Sequence, residues 1–147
     1  MSIMEASPTR ESDLFKGVSQ RVIGEIGKLS EEVIFEKDFI IFRTDDEAFY
    51  IYELTEGIVD IVVSEKDNMH YSIMRAKEIF GWSALVEPYV YTATARCITN
   101  VKVIRIARDA IEDIVKRHPA EGLIIYKHLA GLIGERLRSA YQYIYRH

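Results

Sequence analysis

The sequence of 147 residues is poor in cysteine, in proline and in long apolar runs. Because Cys97 is the only cysteine, an intramolecular disulfide and a cysteine-based zinc site are excluded, and we expect Cys97 to be a small buried strand residue. No stretch approaches the roughly 18 apolar residues of a membrane span, and residues 1–13 lack the apolar core of a signal peptide. We therefore expect a cytoplasmic protein without a membrane segment.

Positive charge is also scarce. The chain has 19 basic and 23 acidic residues, a formal net charge of −4, whereas a surface that neutralises nucleic-acid phosphates is basic. Only the C-terminal segment is locally basic, at a density that is ordinary for a helix end. No recognition helix follows that segment in the sequence. We therefore expect no direct binding to DNA.

Residues that could build a catalytic or metal site are few and scattered. The histidines are His70, His118, His128 and His147. Only His70 lies among the strand-like segments, so three metal ligands cannot be assembled there from histidine. Glu78 and Glu87 are the only carboxylates near the expected barrel mouth that could form an acid–base pair. We therefore expect no metal, no cofactor and no catalytic residues, in a protein that is not an enzyme.

The order of sequence patterns indicates one domain over residues 1–147. Residues 1–13 are expected to be flexible, and apolar residues at helical spacing predict one or two short helices between Asp13 and Leu29. Residues 33–106 hold short β-branched and aromatic runs separated by turn residues, which indicate an all-β barrel or sandwich. In one of these runs, Val59, Ile61 and Val63 are predicted to share a face. Residues 109–145 return to a helical pattern.

The last helical segment is the most regular part of the chain. Its apolar residues recur at heptad spacing in two seams: Leu123, Ala130, Leu137 and Ile144 in one, and Tyr126, Ile133 and Ala140 in the other. This spacing predicts a dimer interface, with two-fold symmetry as the simplest closed arrangement. A helix that packs on its own barrel would produce a similar stripe, and this alternative stays open.

Three segments in the first half of the chain carry a family resemblance through their order and spacing. They are the helical entry Leu14–Ser19, the strand pair Phe35–Phe42 with its Asp38 turn, and the strand Tyr52–Val59 with its glycine turn. Together with the later helices, they resemble the cyclic nucleotide-binding domain of catabolite activator-type regulators, protein kinase regulatory subunits and nucleotide-gated channels. Asp38 and Asp45 stand where that family commonly has glycine. The resemblance implies a mainly β fold, a double-stranded β-helix (jelly-roll) barrel with N-terminal helices and a long C-terminal helix, here without a helix-turn-helix.

The decisive stretch is Phe80-Gly81-Trp82-Ser83-Ala84-Leu85, followed by Tyr91-Thr92, which looks like the family's phosphate-binding cassette. In the family, a glutamate directly after the glycine accepts from the ribose hydroxyl. An arginine nine residues later pairs with the cyclic phosphate. Trp82 and Tyr91 stand at these two positions, and neither preserves the chemistry, because an indole accepts nothing and a phenol carries no positive charge. The glycine turn, the helix N-terminus at Ser83 and Ala84, and the hydroxyl of Thr92 remain.

The resemblance therefore implies a ligand site whose backbone is intact and whose side chains are altered. The candidate ligand-binding residues are Phe80, Gly81, Trp82, Ser83, Ala84, Tyr91 and Thr92. Trp82 either fills the emptied site or stacks on a planar ligand, and Arg96 is expected at the surface instead of replacing the missing arginine.

Two functions stay open on this evidence. The first is a stand-alone sensor or regulatory domain with weak or no binding of cyclic AMP and cyclic GMP, a nucleotide-like small ligand and an unknown downstream protein. The alternative is a structural or protein-interaction module with a closed pocket, whose function is to provide the dimer surface.

Overall fold

The computed structural model describes residues 3–5 and 12–146, with side chains for residues 12–146. The α-helices in this part are α1 (Gln20–Lys28), α2 (Arg108–Arg117) and α3 (Pro119–Arg146). The strands are β1 (Ile3–Glu5), β2 (Ser30–Phe35), β3 (Ile40–Phe42), β4 (Tyr50–Glu56), β5 (Val59–Ser64), β6 (Met69–Ile73), β7 (Ile79–Phe80), β8 (Thr94–Cys97) and β9 (Val101–Ala107). A short 3₁₀ helix spans Trp82–Leu85. Most of the segment 1–13 lies outside the described residues; within it, residues 3–5 form a strand that the sequence pattern did not indicate.

The strands form two antiparallel sheets. Five strands pair in the order β1-β2-β9-β4-β7 and four in the order β3-β8-β5-β6. Each sheet thus combines strands that are distant in sequence, as the jelly-roll arrangement requires. The expected fold class, a mainly β jelly roll with flanking helices and a long C-terminal helix, is confirmed.

Between the sheets lies the first hydrophobic core, built from alternate residues of the strands. Val59 and Ile61 of β5 point into it, as the two-residue period predicts, and so does Cys97, which is fully buried. Val63 does not follow them. A β-bulge between Val62 and Ser64 breaks the register, and Val63 is 40% exposed. The prediction that Val63 shares a face with Val59 and Ile61 is therefore wrong.

Two aspartates occupy turn positions where the backbone is left-handed. Asp38 has φ 73° and Asp45 has φ 74°, a region that glycine enters freely and aspartate tolerates better than most residues. Aspartate can thus adopt the left-handed backbone conformation at these two positions, where the resembling family commonly has glycine. Gly57 has φ 105°, and aspartate could not replace it, because an added Cβ would lie 2.4 Å from the carbonyl oxygen of Asn100.

The second hydrophobic core lies between the outer face of the five-stranded sheet and the helices. Ile51, Ile104 and Ile106 pack there against residues of all three helices. No helix in residues 12–146 is both long enough and apolar enough to cross a membrane.

Helix α3 crosses the molecule from this second core to the mouth of the barrel. Near its start, Glu121 Oε2 accepts a hydrogen bond from the backbone N–H of Ser19 at 3.0 Å, and His128 Nδ1 lies 3.1 Å from the carbonyl oxygen of Leu14. Near its end, the Tyr143 hydroxyl donates to the carbonyl oxygen of Asp67 at 2.6 Å, in the turn between β5 and β6. The helix therefore spans the opening beside the cassette and is held at both ends.

Candidate functional site

The cassette begins at a glycine that the local packing requires. Gly81 follows β7 with φ 76° and caps the 3₁₀ helix Trp82–Leu85. A Cβ at Gly81 would lie 3.1 Å from Tyr52 Cδ2 and 3.3 Å from Phe42 Cε2. A side chain here would combine backbone strain with a close contact against two aromatic rings.

The helix that follows Gly81 is short. It has four residues, and the backbone N–H of Ala84 already donates to the carbonyl oxygen of Gly81 at 3.3 Å. Ala84 is fully buried, and so is Phe80, whose side chain belongs to the core between the sheets. Neither of these two predicted site residues lines either of the cavities at the barrel mouth.

Tyr91, at the position where the family has its arginine, points into the barrel. It is 4% exposed, and its ring stacks on Phe42 with a centroid distance of 3.7 Å and an interplanar angle of 10°. Its hydroxyl donates to the carbonyl oxygen of Tyr50 at 2.6 Å. Burial raises the pKa of Tyr91 to about 12, so the side chain is neutral at physiological pH.

Other aromatic side chains complete the filling of the barrel interior. Tyr52 stacks on Phe80 at 5.2 Å and on Phe42 at 5.9 Å, and burial raises the pKa of Tyr52 well above its usual value. The cavity that remains under the cassette, lined in part by Gly81 and Tyr91, has a volume of about 20 Å³. Such a volume holds about one water molecule, whereas ligand pockets measure about 300–1,000 Å³.

Trp82 lies outside this filled interior. Its half-buried side chain packs against the second hydrophobic core, so Tyr91, and not Trp82, occupies the interior beside Phe42. Trp82 also lines the small cavity and two neighbouring ones. Its position is therefore at the boundary between the barrel, the helices and the open space beneath α3.

A larger cavity of about 310 Å³ opens at this boundary, and we call it the outer cavity. Its walls come from β5, β6, the cassette and the second half of α3. The residues that line it are Val63, Met69, His70, Tyr71, Trp82, Thr92, Ala93, Ile133, Arg136, Leu137, Ser139, Ala140 and Tyr143. Of the predicted site residues, Trp82 and Thr92 belong to it, whereas Gly81, Ser83 and Tyr91 line the small cavity only.

Sequence reasoning did not place Arg136 and His70 at a ligand cavity. Arg136 lies over the Tyr71 ring, with its guanidinium carbon 3.6 Å from the ring centroid. The His70 ring nitrogen Nδ1 lies 2.9 Å from Asp60 Oδ1. A signal was available, because Arg136 sits at helical spacing between Ile133 and apolar residues that follow it, and a cation on an apolar face of a helix is unusual.

The two predicted heptad seams have different environments. Leu123, Leu137 and Ile144 are 61%, 49% and 65% exposed, and Ala130 is also exposed. The other seam, Tyr126, Ile133 and Ala140, is half-buried against the chain's own barrel and helices. Packing on the barrel thus explains the second seam. We call the exposed seam, Leu123, Ala130, Leu137 and Ile144, the α3 stripe; packing within the chain does not explain its apolar character.

The remaining candidates lie apart from the cavities. Arg96 is exposed on β8, as predicted. Within residues 12–146, no group of three or more histidine, cysteine, aspartate or glutamate side chains is arranged to hold a metal ion. The Glu78 carboxylate accepts hydrogen bonds from the backbone N–H groups of Met74 and Arg75 at 3.3 and 3.1 Å, and Glu87 is exposed. Glu78 therefore stabilises a turn.

Comparison with known proteins agrees with this architecture. A family model, the cyclic nucleotide-binding domain, matches residues 32–118. The CRP-like cAMP-activated global transcriptional regulator of Mycobacterium tuberculosis is 25% identical over 127 residues, 85% of this chain and 55% of that protein. The chain thus spans about half the length of the curated relatives that it matches.

Solved structures are also similar. A candidate cyclic nucleotide-binding protein from Geobacter metallireducens has a TM-score of 0.76 at 27% identity, over 87% of this chain and 94% of that one. The sensor domain of the transcriptional regulator DNR from Pseudomonas aeruginosa has a TM-score of 0.69 at 19% identity, with 88% of each chain covered. At the latter identity, the likeness concerns the fold alone.

Proposed function

Because the chain belongs to the cyclic nucleotide-binding domain family, we propose that it is a non-enzymatic regulatory sensor domain whose ligand is not a cyclic nucleotide. The observation that carries this proposal is the position of Tyr91. A neutral side chain stacked on Phe42 and bonded to the Tyr50 carbonyl stands where the family places its phosphate-binding arginine. The cassette keeps its backbone turn and loses its charge.

For a cyclic nucleotide, the cassette lacks two of the family's contacts and the space to hold the ligand. Trp82 cannot accept from a ribose hydroxyl, and Tyr91 cannot neutralise a phosphate. Hydrogen bonds to charged groups contribute about 1.5–3 kcal/mol each, so both losses together cost several kcal/mol of binding free energy. The cavity of about 20 Å³ under the cassette adds a steric barrier.

The outer cavity is the place where a different ligand would act. It touches both the barrel and α3, so a molecule bound there would contact both elements, and in this proposal their relative position changes. A ligand that binds one arrangement of α3 more tightly shifts the population towards it. Tyr143 bridges the helix to the β5–β6 turn and closes the cavity at one end. In this proposal α3 transmits the signal.

The α3 stripe supports a homodimer. Leu123, Ala130, Leu137 and Ile144 recur every seven residues on an exposed helix face, and the matching surface of a second copy is self-complementary in a two-fold arrangement. Sedimentation velocity tests this: the double variant Leu123→Asp/Ile144→Asp is expected to be monomeric, while Tyr145→Asp, also exposed but off the stripe, stays dimeric. A monomeric unmodified chain would contradict the dimer.

The output of the domain would pass to another protein. The net charge of −4 does not favour direct DNA contact, although the curated relatives are described as transcriptional regulators. We propose a separate downstream partner that reads the position of α3.

The alternative function is a protein-interaction module with a closed pocket, favoured by the filled barrel interior. Fluorescence separates the two functions because Trp82, the only tryptophan, lines the outer cavity. In a screen of nucleotides and small metabolites, the sensor function predicts saturable changes in Trp82 emission for at least one compound class. No change across the screen, with an intact dimer, would favour the interaction module.

A further inference from the structure

Arginine residues that stack on aromatic rings identify the charged centre of the outer cavity. In residues 12–146, three half-buried arginines have their guanidinium carbon over a ring: Arg105 at 4.3 Å, Arg108 at 4.0 Å and Arg136 at 3.6 Å from the ring centroid. Arg105 also pairs with Glu31, and Arg108 lies 3.9 Å from a Glu112 oxygen. The first two cations are thus neutralised within the protein.

Arg136 differs from them, because no described side chain or carbonyl forms a hydrogen bond or ion pair with its guanidinium. Nearby acids have other partners. Asp13 pairs with Arg75 at 3.1 Å, and Glu78 accepts from backbone N–H groups. Asp13, Glu78 and Glu135 line a neighbouring cavity of about 120 Å³ together with Arg136, but none of them forms an ion pair with its guanidinium. Partial burial of a cation without a direct ion pair is costly. An arginine in this state, at the wall of a cavity, is well suited to receive an anion from outside the protein.

We propose that Arg136 anchors the anionic group of a planar aromatic acid in the outer cavity, an inference that rests on the proposed sensor function. The face of the guanidinium lies on Tyr71, and its N–H donors project from the edge of the plane, where a carboxylate can accept two of them. Trp82 supplies an aromatic surface for the ring, and Thr92 adds a hydroxyl.

The walls favour an organic acid over inorganic phosphate. Most of the lining is aliphatic or aromatic, with Val63, Ile133, Leu137 and Ala140 among its residues. The other basic side chain, His70, already lies 2.9 Å from an Asp60 oxygen. One guanidinium suits a single carboxylate, whereas a phosphate dianion calls for several donors. The anchor would also lie on α3 and not on the barrel, so the ligand itself would join the two elements.

The test compares 2-naphthoate with 2-naphthamide, which share a ring system and differ in charge. Trp82 gives the single indole N–H signal in a ¹H–¹⁵N spectrum, and this signal reports binding next to the site. The unmodified protein is expected to bind 2-naphthoate saturably and about tenfold or more tightly than 2-naphthamide, as befits a charge-assisted contact. Equal affinities, or no saturable shift with 2-naphthoate, would overturn the proposal.

Two arginine variants make the test specific. Arg136→Gln is expected to weaken 2-naphthoate binding to the level of 2-naphthamide and to leave 2-naphthamide unchanged. Arg138→Gln, on the same helix but exposed, should bind like the unmodified protein. Equal weakening by both variants would indicate a general effect of charge and refute the anchor. If 2-naphthoate does not bind but another compound shifts the Trp82 indole signal, the anchor is refuted and the sensor function stands. Micromolar binding of cyclic AMP would instead refute the proposal that the ligand is not a cyclic nucleotide.

Discussion

The barrel interior under the cassette and the outer cavity beside it share the lining residues Tyr71, Trp82, Thr92 and Ala93, yet they differ in volume and in chemistry. The interior is filled by stacked aromatic rings, with about 20 Å³ left open. The outer cavity has about 310 Å³, mostly apolar walls and an arginine that stacks on Tyr71 without forming an ion pair. If the proposed sensor function holds, ligand chemistry was lost at one place in the fold and built at a neighbouring one while the backbone frame was kept.

The largest expected effect concerns the filling of the interior. Tyr91→Ala removes a buried ring that packs on Phe42, and we expect it to lower the free energy of unfolding by about 3–5 kcal/mol, as other large-to-small core changes do. Tyr141→Ala, 62% exposed on α3, is the matched control and should change it by less than about 0.5 kcal/mol. Urea unfolding measures both. Similar losses would mean that the interior is not packed as described.

The cassette turn gives the second effect. Gly81→Ala adds a methyl group at φ 76° against Tyr52 and Phe42, and we expect it to cost about 1–3 kcal/mol of unfolding free energy. Gly131→Ala lies within α3, where an added Cβ meets no atom within 4 Å, and it should stabilise by about 0.5–1 kcal/mol. A neutral Gly81→Ala would show that the cassette backbone is more adaptable than the packing indicates.

These positions also show how far the sequence leads. The strand runs, the helices and the glycine turn follow from periodicity and turn chemistry, whereas the jelly-roll arrangement of the strands was implied by the family resemblance. The replacement of the arginine by Tyr91 was visible too, yet its contact with Phe42 was not, because that contact joins a loop residue to a strand that is distant in sequence. The position of Arg136 on an apolar helix face was visible as well. Its contact with Tyr71 on β6 was not, because no local pattern connects a helix residue to a strand residue across a cavity.

A smaller effect comes from the hydroxyl of Tyr91. Tyr91→Phe keeps the ring and loses the bond to the Tyr50 carbonyl, at a cost of about 1 kcal/mol near neutral pH. The folded pKa of Tyr91 is about 12, against 10.0 ordinarily. Above pH 10 the unfolded chain therefore loses this proton first, and the free energy of unfolding falls as the pH rises towards 12.

The variant should show a shallower fall between these pH values. The fall does not vanish, because the pKa values of Tyr71 and Cys97 are also raised, to about 12 and about 11. Urea unfolding at several alkaline pH values measures the difference. Parallel curves for the variant and the unmodified protein would mean that Tyr91 is not buried as a neutral phenol.

Titration calorimetry with cyclic AMP tests the central claim most directly. A closed, uncharged cassette predicts no saturable heat at micromolar ligand concentrations, for cyclic AMP and for cyclic GMP alike, in protein shown to be folded by a cooperative unfolding transition. Stoichiometric binding of either nucleotide with a micromolar dissociation constant would contradict the account. Such binding would require Tyr91 to move away from Phe42, or the nucleotide to bind tightly without a positive charge that pairs with its phosphate.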